Sequence, residues 1–102
     1  MREVLKSFMN DQWWLISKRM SESLNKELEK ELSLKHILYG KEAVAVARRE
    51  DNDDVIFWIK YLNKFAVVHL TYSKETSSEY PITSLFTLRE LEKYCKHVSK
   101  SH

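Results

Sequence analysis

His69, Arg49 and the acidic run ending at Asp54 are the side chains of this sequence whose types could move a proton or hold an ion. An imidazole titrates near neutrality. It becomes a general base when a carboxylate orients one ring nitrogen and the other is left for a substrate. The nearest carboxylates in sequence are Glu50, Asp51, Asp53 and Asp54, and the hydroxyls of Thr71 and Tyr72 follow just after His69. No recognised catalytic spacing joins them, so a hydrogen-bonded structural histidine is the simpler reading. Asp51-Asn52-Asp53 looks like the start of a calcium loop, but the glycine and the distant bidentate glutamate of such a loop are missing. With Arg48 and Arg49 beside it, the cluster reads as a solvated hairpin tip with cross-strand ion pairs. His36, His69, His97 and His102 form no HxxxH pair, and Cys95 has no second cysteine. A zinc site is therefore not expected, and nothing calls for a cofactor.

The elements that must position these residues are three apolar runs, 43–49, 55–61 and 65–72, rich in β-branched and aromatic residues. The polar breaks between them are too short to join packed helices and contain Asn and Asp, which form turns readily. They predict a three-stranded antiparallel meander. A two-residue turn at Asn63-Lys64 pairs Leu62 with Phe65, and hence Ile59 with Val68, Trp58 with His69 and Phe57 with Leu70. Alternation then places Val55, Phe57, Ile59, Tyr61, Ala66, Val68, Leu70 and Tyr72 on one almost wholly apolar face. Ile56, Trp58, Lys60, Val67, His69 and Thr71 fall on a mixed face. A turn at Asp51-Asn52 or Asn52-Asp53 adds the first strand with Val44 and Val46 on the core face. Ala43, Ala45, Ala47 and Arg49 then fall on the mixed face, packed under a helix or flooring a shallow groove.

Flanking helices complete an α+β chain: helix, three-stranded meander, a short fourth edge strand at 82–86, and a C-terminal helix. The first helix is expected to start at an Asn10 or Asp11 N-cap and to run to about Leu32 or Leu34. Trp13, Ile16, Met20, Leu24, Leu28 and Leu32 form its buried stripe. Residues 1–9 form either a short helix of their own or its first turns. Gly40 supplies a positive φ before the first strand, and Ile37, Leu38 and Tyr39 close one end of the core. Thr87-Leu-Arg-Glu90 is a capping box, with Phe86 stapled onto Leu91. Leu88, Leu91, Cys95 and Val98 are the inward stripe of the last helix. If both helices cover the Phe57/Ile59/Val68 face, the Trp58/His69 face is left for solvent or a partner.

With 102 residues, 43% hydrophobic and 31% charged, the chain predicts one soluble domain with a single core. Seventeen basic residues against fifteen acidic ones, interleaved, argue against a nucleic-acid partner. One glycine excludes a Gly-rich phosphate loop, and one cysteine excludes an internal disulfide, which suits a reducing cytoplasm. No apolar stretch approaches the ~20 residues of a membrane helix, so no membrane partner is expected. The stretch VARREDNDDVIFWI, then FAVVHLTYS and the later Tyr80-Pro81, resembles a group of small uncharacterised bacterial proteins over most of the chain. The resemblance implies a bacterial cytosolic protein and attaches no activity to any residue.

These readings point to a non-enzymatic cytoplasmic binding module. It would recognise a protein partner, or form a homodimer, through the mixed sheet face, with Arg49, Trp58, His69 and Thr71 as the binding residues. Trp58 is an anchor of the type enriched at binding hot spots. The alternative is a small enzyme using His69 with Arg49 and a hairpin carboxylate.

Overall fold

The computed structural model describes residues 5–7, 13–49, 53–72 and 81–100. Among them lie β1 (Trp13–Leu15), α1 (Lys18–Glu31), β2 (Ala43–Arg49), β3 (Asp54–Ile59), β4 (Lys64–His69), β5 (Ile82–Phe86) and α2 (Leu88–Lys100), with Leu5–Ser7 also helical. The strands form one antiparallel sheet in the order β1-β2-β3-β4-β5, each beside its neighbour in sequence. The α+β class and the meander are as the sequence predicts, and β5 is the expected edge strand. A further strand, β1, extends the sheet beyond the expected three or four.

β1 corrects the first helix. Trp13–Leu15 is strand, so α1 starts at Lys18, and residues 5–7 are not its first turns. Ser17 is the N-cap, in extended conformation, with its Oγ accepting from the Met20 N–H at 3.2 Å. The expected caps, Asn10 and Asp11, lie outside the described residues. Trp13 and Ile16 fit a helical stripe by spacing. They also fit an aromatic-rich strand ending at a serine cap, and pairing with β2 decides for the strand. Met20 is exposed and Ser21 is buried in its place, because the helix begins later and its inward face is rotated.

Each face of the sheet carries its own core. On one, Leu24 and Leu28 of α1 pack with Ile16, Leu38, Ala45, Val55, Phe57, Ile59, Ala66, Val68 and Leu70. On the other face Leu5, Trp13, Ala47, Ile56, Phe65, Val67, Leu91 and Cys95 pack together under α2. The mixed face is therefore covered rather than left open. β3 and β4 run nearly continuously apolar, and Val55, Ile56, Phe57 and Ile59 are all buried. Such runs belong to strands with both faces covered. Leu38 closes the core as expected, but Ile37 and Tyr39 are exposed.

The register departs from expectation in two places. Residues 60–63 turn as four, with Asn63 at φ 54 and its N–H donating to the Lys60 carbonyl at 3.3 Å. Trp58 thus opposes Phe65, and Phe57 opposes Ala66, four residues from the expected pairing. Four is even, so the side chains of β3 and β4 keep their predicted faces, whereas Tyr61, which falls in the turn, and Tyr72 are exposed rather than on the core face. Of the two predicted registers for β2, the one reckoned from Asp51-Asn52 matches, with Arg48 opposite Val55 and Ala47 opposite Ile56, whereas the one reckoned from Asn52-Asp53, which sets Arg49 opposite Ile56, does not. A bulge between Ala45 and Ala47 then inserts one residue. Ala43 and Ala45 consequently pair with Ile59 and Phe57 on the α1 face, and Val44 moves to the face of Trp58.

Two predicted local features are present. Gly40 has φ +75. The capping box closes in both directions, Glu90 N–H to Thr87 Oγ1 at 3.2 Å and Thr87 N–H to Glu90 Oε1 at 2.8 Å. Leu91 and Cys95 are buried by α2, whereas Leu88 is partly exposed; the side chain of Val98 lies outside the described residues. Phe86 joins the same cluster, with its ring 5.2 Å from that of Tyr94.

Burial on both faces carries a direct expectation. Phe57→Ala and Phe65→Ala remove fully buried rings from opposite faces. Each should cost about 3–5 kcal/mol in chemical denaturation. A loss below ~1 kcal/mol for Phe65→Ala alone would show that α2 does not hold a packed second core.

Candidate functional site

The four expected binding residues fall in three places. Arg49 and His69 meet at Asp54. Trp58 lies further along β3, against Phe65, with ring centroids 4.9 Å apart. Thr71 belongs to a separate cluster around Glu31. The expected Trp58–His69 neighbourhood does not form, because the four-residue turn moves His69 from Trp58 to Asp54. Arg49 likewise faces Asp54 rather than Ile56, whose partner is Ala47.

At the hairpin end of β3, Asp54 sits between an imidazole and a guanidinium. His69 Nδ1 is 2.8 Å from Asp54 Oδ1, and Arg49 Nη1 is 3.9 Å from Oδ2. The carboxylate is mostly buried, whereas the imidazole is half open to water. Tyr94 of α2 stands near the pair. Burial pushes its phenol above the ordinary range, the Asp54 charge adds to the rise, and Arg49 opposes it. A carboxylate-oriented imidazole can act as a base. The neighbouring nucleophiles are poor: Tyr94 stays protonated, and burial pushes the Cys95 thiol up to about 12. Among the described residues no group of three His, Cys, Asp or Glu side chains is placed to hold a metal ion.

Trp58 lines a groove of about 540 Å³ where the start of α1 crosses β2. Ile16, Val44, Val46 and Trp58 make it largely apolar, with Lys18, Glu22 and Lys60 also in its lining. β2 is uncovered here because β1 ends at Leu15. The helix takes the place of the missing strand: Asn25 Oδ1 accepts from the Ala45 N–H and Ser21 Oγ donates to the Ala45 carbonyl, both at 2.7 Å. One turn of helix spaces these two side chains to grip both polar groups of a single residue. The groove walls are therefore packed elements. The larger hollow, about 600 Å³, is lined by Tyr39, Gly40, Lys41, Glu42, Lys60 and Tyr61, all outside the strands and helices.

Glu31, which sequence reasoning missed, is fully buried at the last position of α1. Its Oε1 accepts from the Thr71 N–H at 2.7 Å and the Thr71 hydroxyl at 3.0 Å, and its Oε2 from the Tyr72 N–H at 2.8 Å. Tyr72 adopts φ 56 beside this contact. Thr71 is thus an anchor for α1 rather than part of a surface site. The available signal was position: Glu31 follows Leu24 and Leu28 at +7 and +3, on the helix stripe that must face the core. Burial raises the Glu31 carboxyl above its ordinary value, and a hydrogen bond with the Glu27 carboxyl adds to the rise. The Thr71 and Tyr72 donors oppose it.

No protein-family model, no curated protein and no solved structure matches this chain.

The Glu31 environment implies a pH dependence. A carboxyl raised by folding binds its proton more tightly in the native state. The associated stability is present below the ordinary value of 4.5 and is lost as pH rises through the folded value. Glu27→Gln removes the second-largest raising cause, so it should flatten this fall. Urea midpoints measured from pH 4 to pH 8 test it, and identical profiles for the two proteins would exclude a contribution of the Glu27 hydrogen bond to the raised Glu31 carboxyl.

Proposed function

We propose that this chain is a small non-enzymatic binding module that takes an apolar, acidic segment of a protein partner into the Trp58 groove. The half-buried indole at the groove, with Val44 and Val46 alongside, carries the reading. A rigid aromatic in a largely apolar concavity is the usual anchor of a binding hot spot. The rim favours negative charge. α1 opens with Lys18 and Arg19 and has no acid in its first turn, so its positive dipole end is not neutralised there. Glu22 is the acidic lining residue and Lys60 is shared with Glu42 at 3.6 Å, which leaves Lys18 as the principal cation. Against the mixed-face expectation, the site is confined to the strip of that face near the uncovered stretch of β2. Arg49, His69 and Thr71 lie outside its lining.

A panel of acetylated tetrapeptides pairing Leu or Phe with Asp tests the reading. Binding should shift the methyl resonances of Val44 and Val46, and Trp58→Ala should weaken it at least ~10-fold while the fold is retained. Exchanging Asp for Asn in the peptide should weaken binding less. A panel that leaves both valines unshifted at millimolar peptide sinks the proposal.

One observation favours the alternative of a small enzyme, the 2.8 Å contact between Asp54 and His69. That reading requires ester or amide hydrolysis faster than free imidazole supports, and lost on His69→Ala. A rate unchanged by the substitution excludes it.

A further inference from the structure

The two edges of the sheet are finished differently. At one, β1 is three residues long, and Ser21 and Asn25 bond the backbone of Ala45 beyond it. At the other, β5 reads Ile-Thr-Ser-Leu-Phe, without a charge, a proline or a glycine. Its pairing with β4 is unbroken from Phe65↔Phe86 to His69↔Ile82, so no bulge twists it away. None of its five residues is buried, and Ile82 is 57% exposed. Among the described residues no hydrogen bond reaches the outer side of its backbone. Soluble proteins blunt such edges with charge, proline, bulges or cover, and an edge with none of these is a template for another strand.

We propose that β5 pairs with the β5 of a second copy of this chain, antiparallel about Ser84, to form a two-fold dimer with one continuous sheet. The strand is self-complementary about that residue. Ile82, Ser84 and Phe86 share the α2 face, while Thr83 and Leu85 share the α1 face. Antiparallel pairing sets Ile82 opposite the partner's Phe86, Thr83 opposite the partner's Leu85, and Ser84 opposite itself. On the α2 face two apolar pairs flank the Ser84 pair, on the α1 face branched groups meet, and no like charges are opposed. The Ile82–Phe86 and Thr83–Leu85 pairs each occur twice and the Ser84 pair lies on the axis, as an isologous interface requires. The strand is also held in place before pairing. His36 Nδ1 accepts from the Leu38 N–H at 3.1 Å, so Nε2 carries the proton and donates to the Pro81 carbonyl at 2.9 Å. Thr83 Oγ1 donates to the same carbonyl at 2.9 Å. Little ordering of the edge remains to oppose association. The β2 edges would then lie seven strand spacings apart, about 34 Å at ~4.8 Å each, an arrangement able to engage a bivalent partner.

Sedimentation of the full chain is the test. At about 100 µM the wild type should have twice the monomer mass and dissociate on dilution toward ~1 µM, as suits a small interface. Ser84→Lys sets two ammonium groups against each other on the two-fold axis. It should give a monomer at the higher concentration, with an unchanged circular-dichroism spectrum. In the wild type, the outward amides of β5 should exchange slowly at high concentration and rapidly at low concentration. This measurement decides the question even if the variant does not fold. A monomeric wild type, a dimer that survives Ser84→Lys in the folded variant, or β5 amides that exchange equally at both concentrations would overturn the proposal.

Discussion

Burial of the central strands from both sides is the constraint on which the rest of this structure depends. Phe57 and Ile59 point into one core, Ile56 into the other, and all three are fully enclosed. A sheet with two apolar faces cannot be satisfied by helices stacked on one of them. α1 and α2 therefore divide, and Leu5 and Trp13 join α2 because one helix does not fill the second face. The same division confines accessible apolar surface to strips beside the helices and to the sheet edges.

Those strips and edges are where the chemistry collects. The start of α1 crosses β2 where β1 has ended, so Ser21 and Asn25 must hold Ala45 in place of a strand. The Trp58 groove is the space left beside that crossing. At the hairpin end, the Asp54 carboxylate takes up both Arg49 and His69. At the far end of α1, Glu31 is carried into the core at the negative pole of the helix dipole, where a charged carboxylate is least favoured. Three donors from Thr71 and Tyr72 offset part of that cost. They tie the helix to the segment after β4, a connection that an apolar residue could not specify so sharply.

The α+β class, three central strands, the edge strand at Ile82–Phe86, the capping box at Thr87 and the positive φ of Gly40 were all legible in the sequence. Each depends on local chemistry: period, turn residues, and side chains that bond their own backbone. The faces of β3 and β4 were legible for the same reason, since parity survives any even slip. Pairing and stacking were not local. A two-residue turn and a four-residue turn at residues 60–63 both satisfy Asn63, and only the packed sheet selects the longer one. That choice decided that His69 meets Asp54 rather than Trp58. The bulge in β2 has no marker such as a glycine; it lets Ala45 face α1 closely while Ala47 faces α2. Trp13–Leu15 suits a helix or a strand by spacing, and the free edge of β2 settles it. The sequence alone established the meander, the edge strand, the last helix and the faces of β3 and β4. Which face each helix covers, and so which side chains stand together as a site, was decided by burial of apolar area summed over distant segments, a quantity that no local window contains.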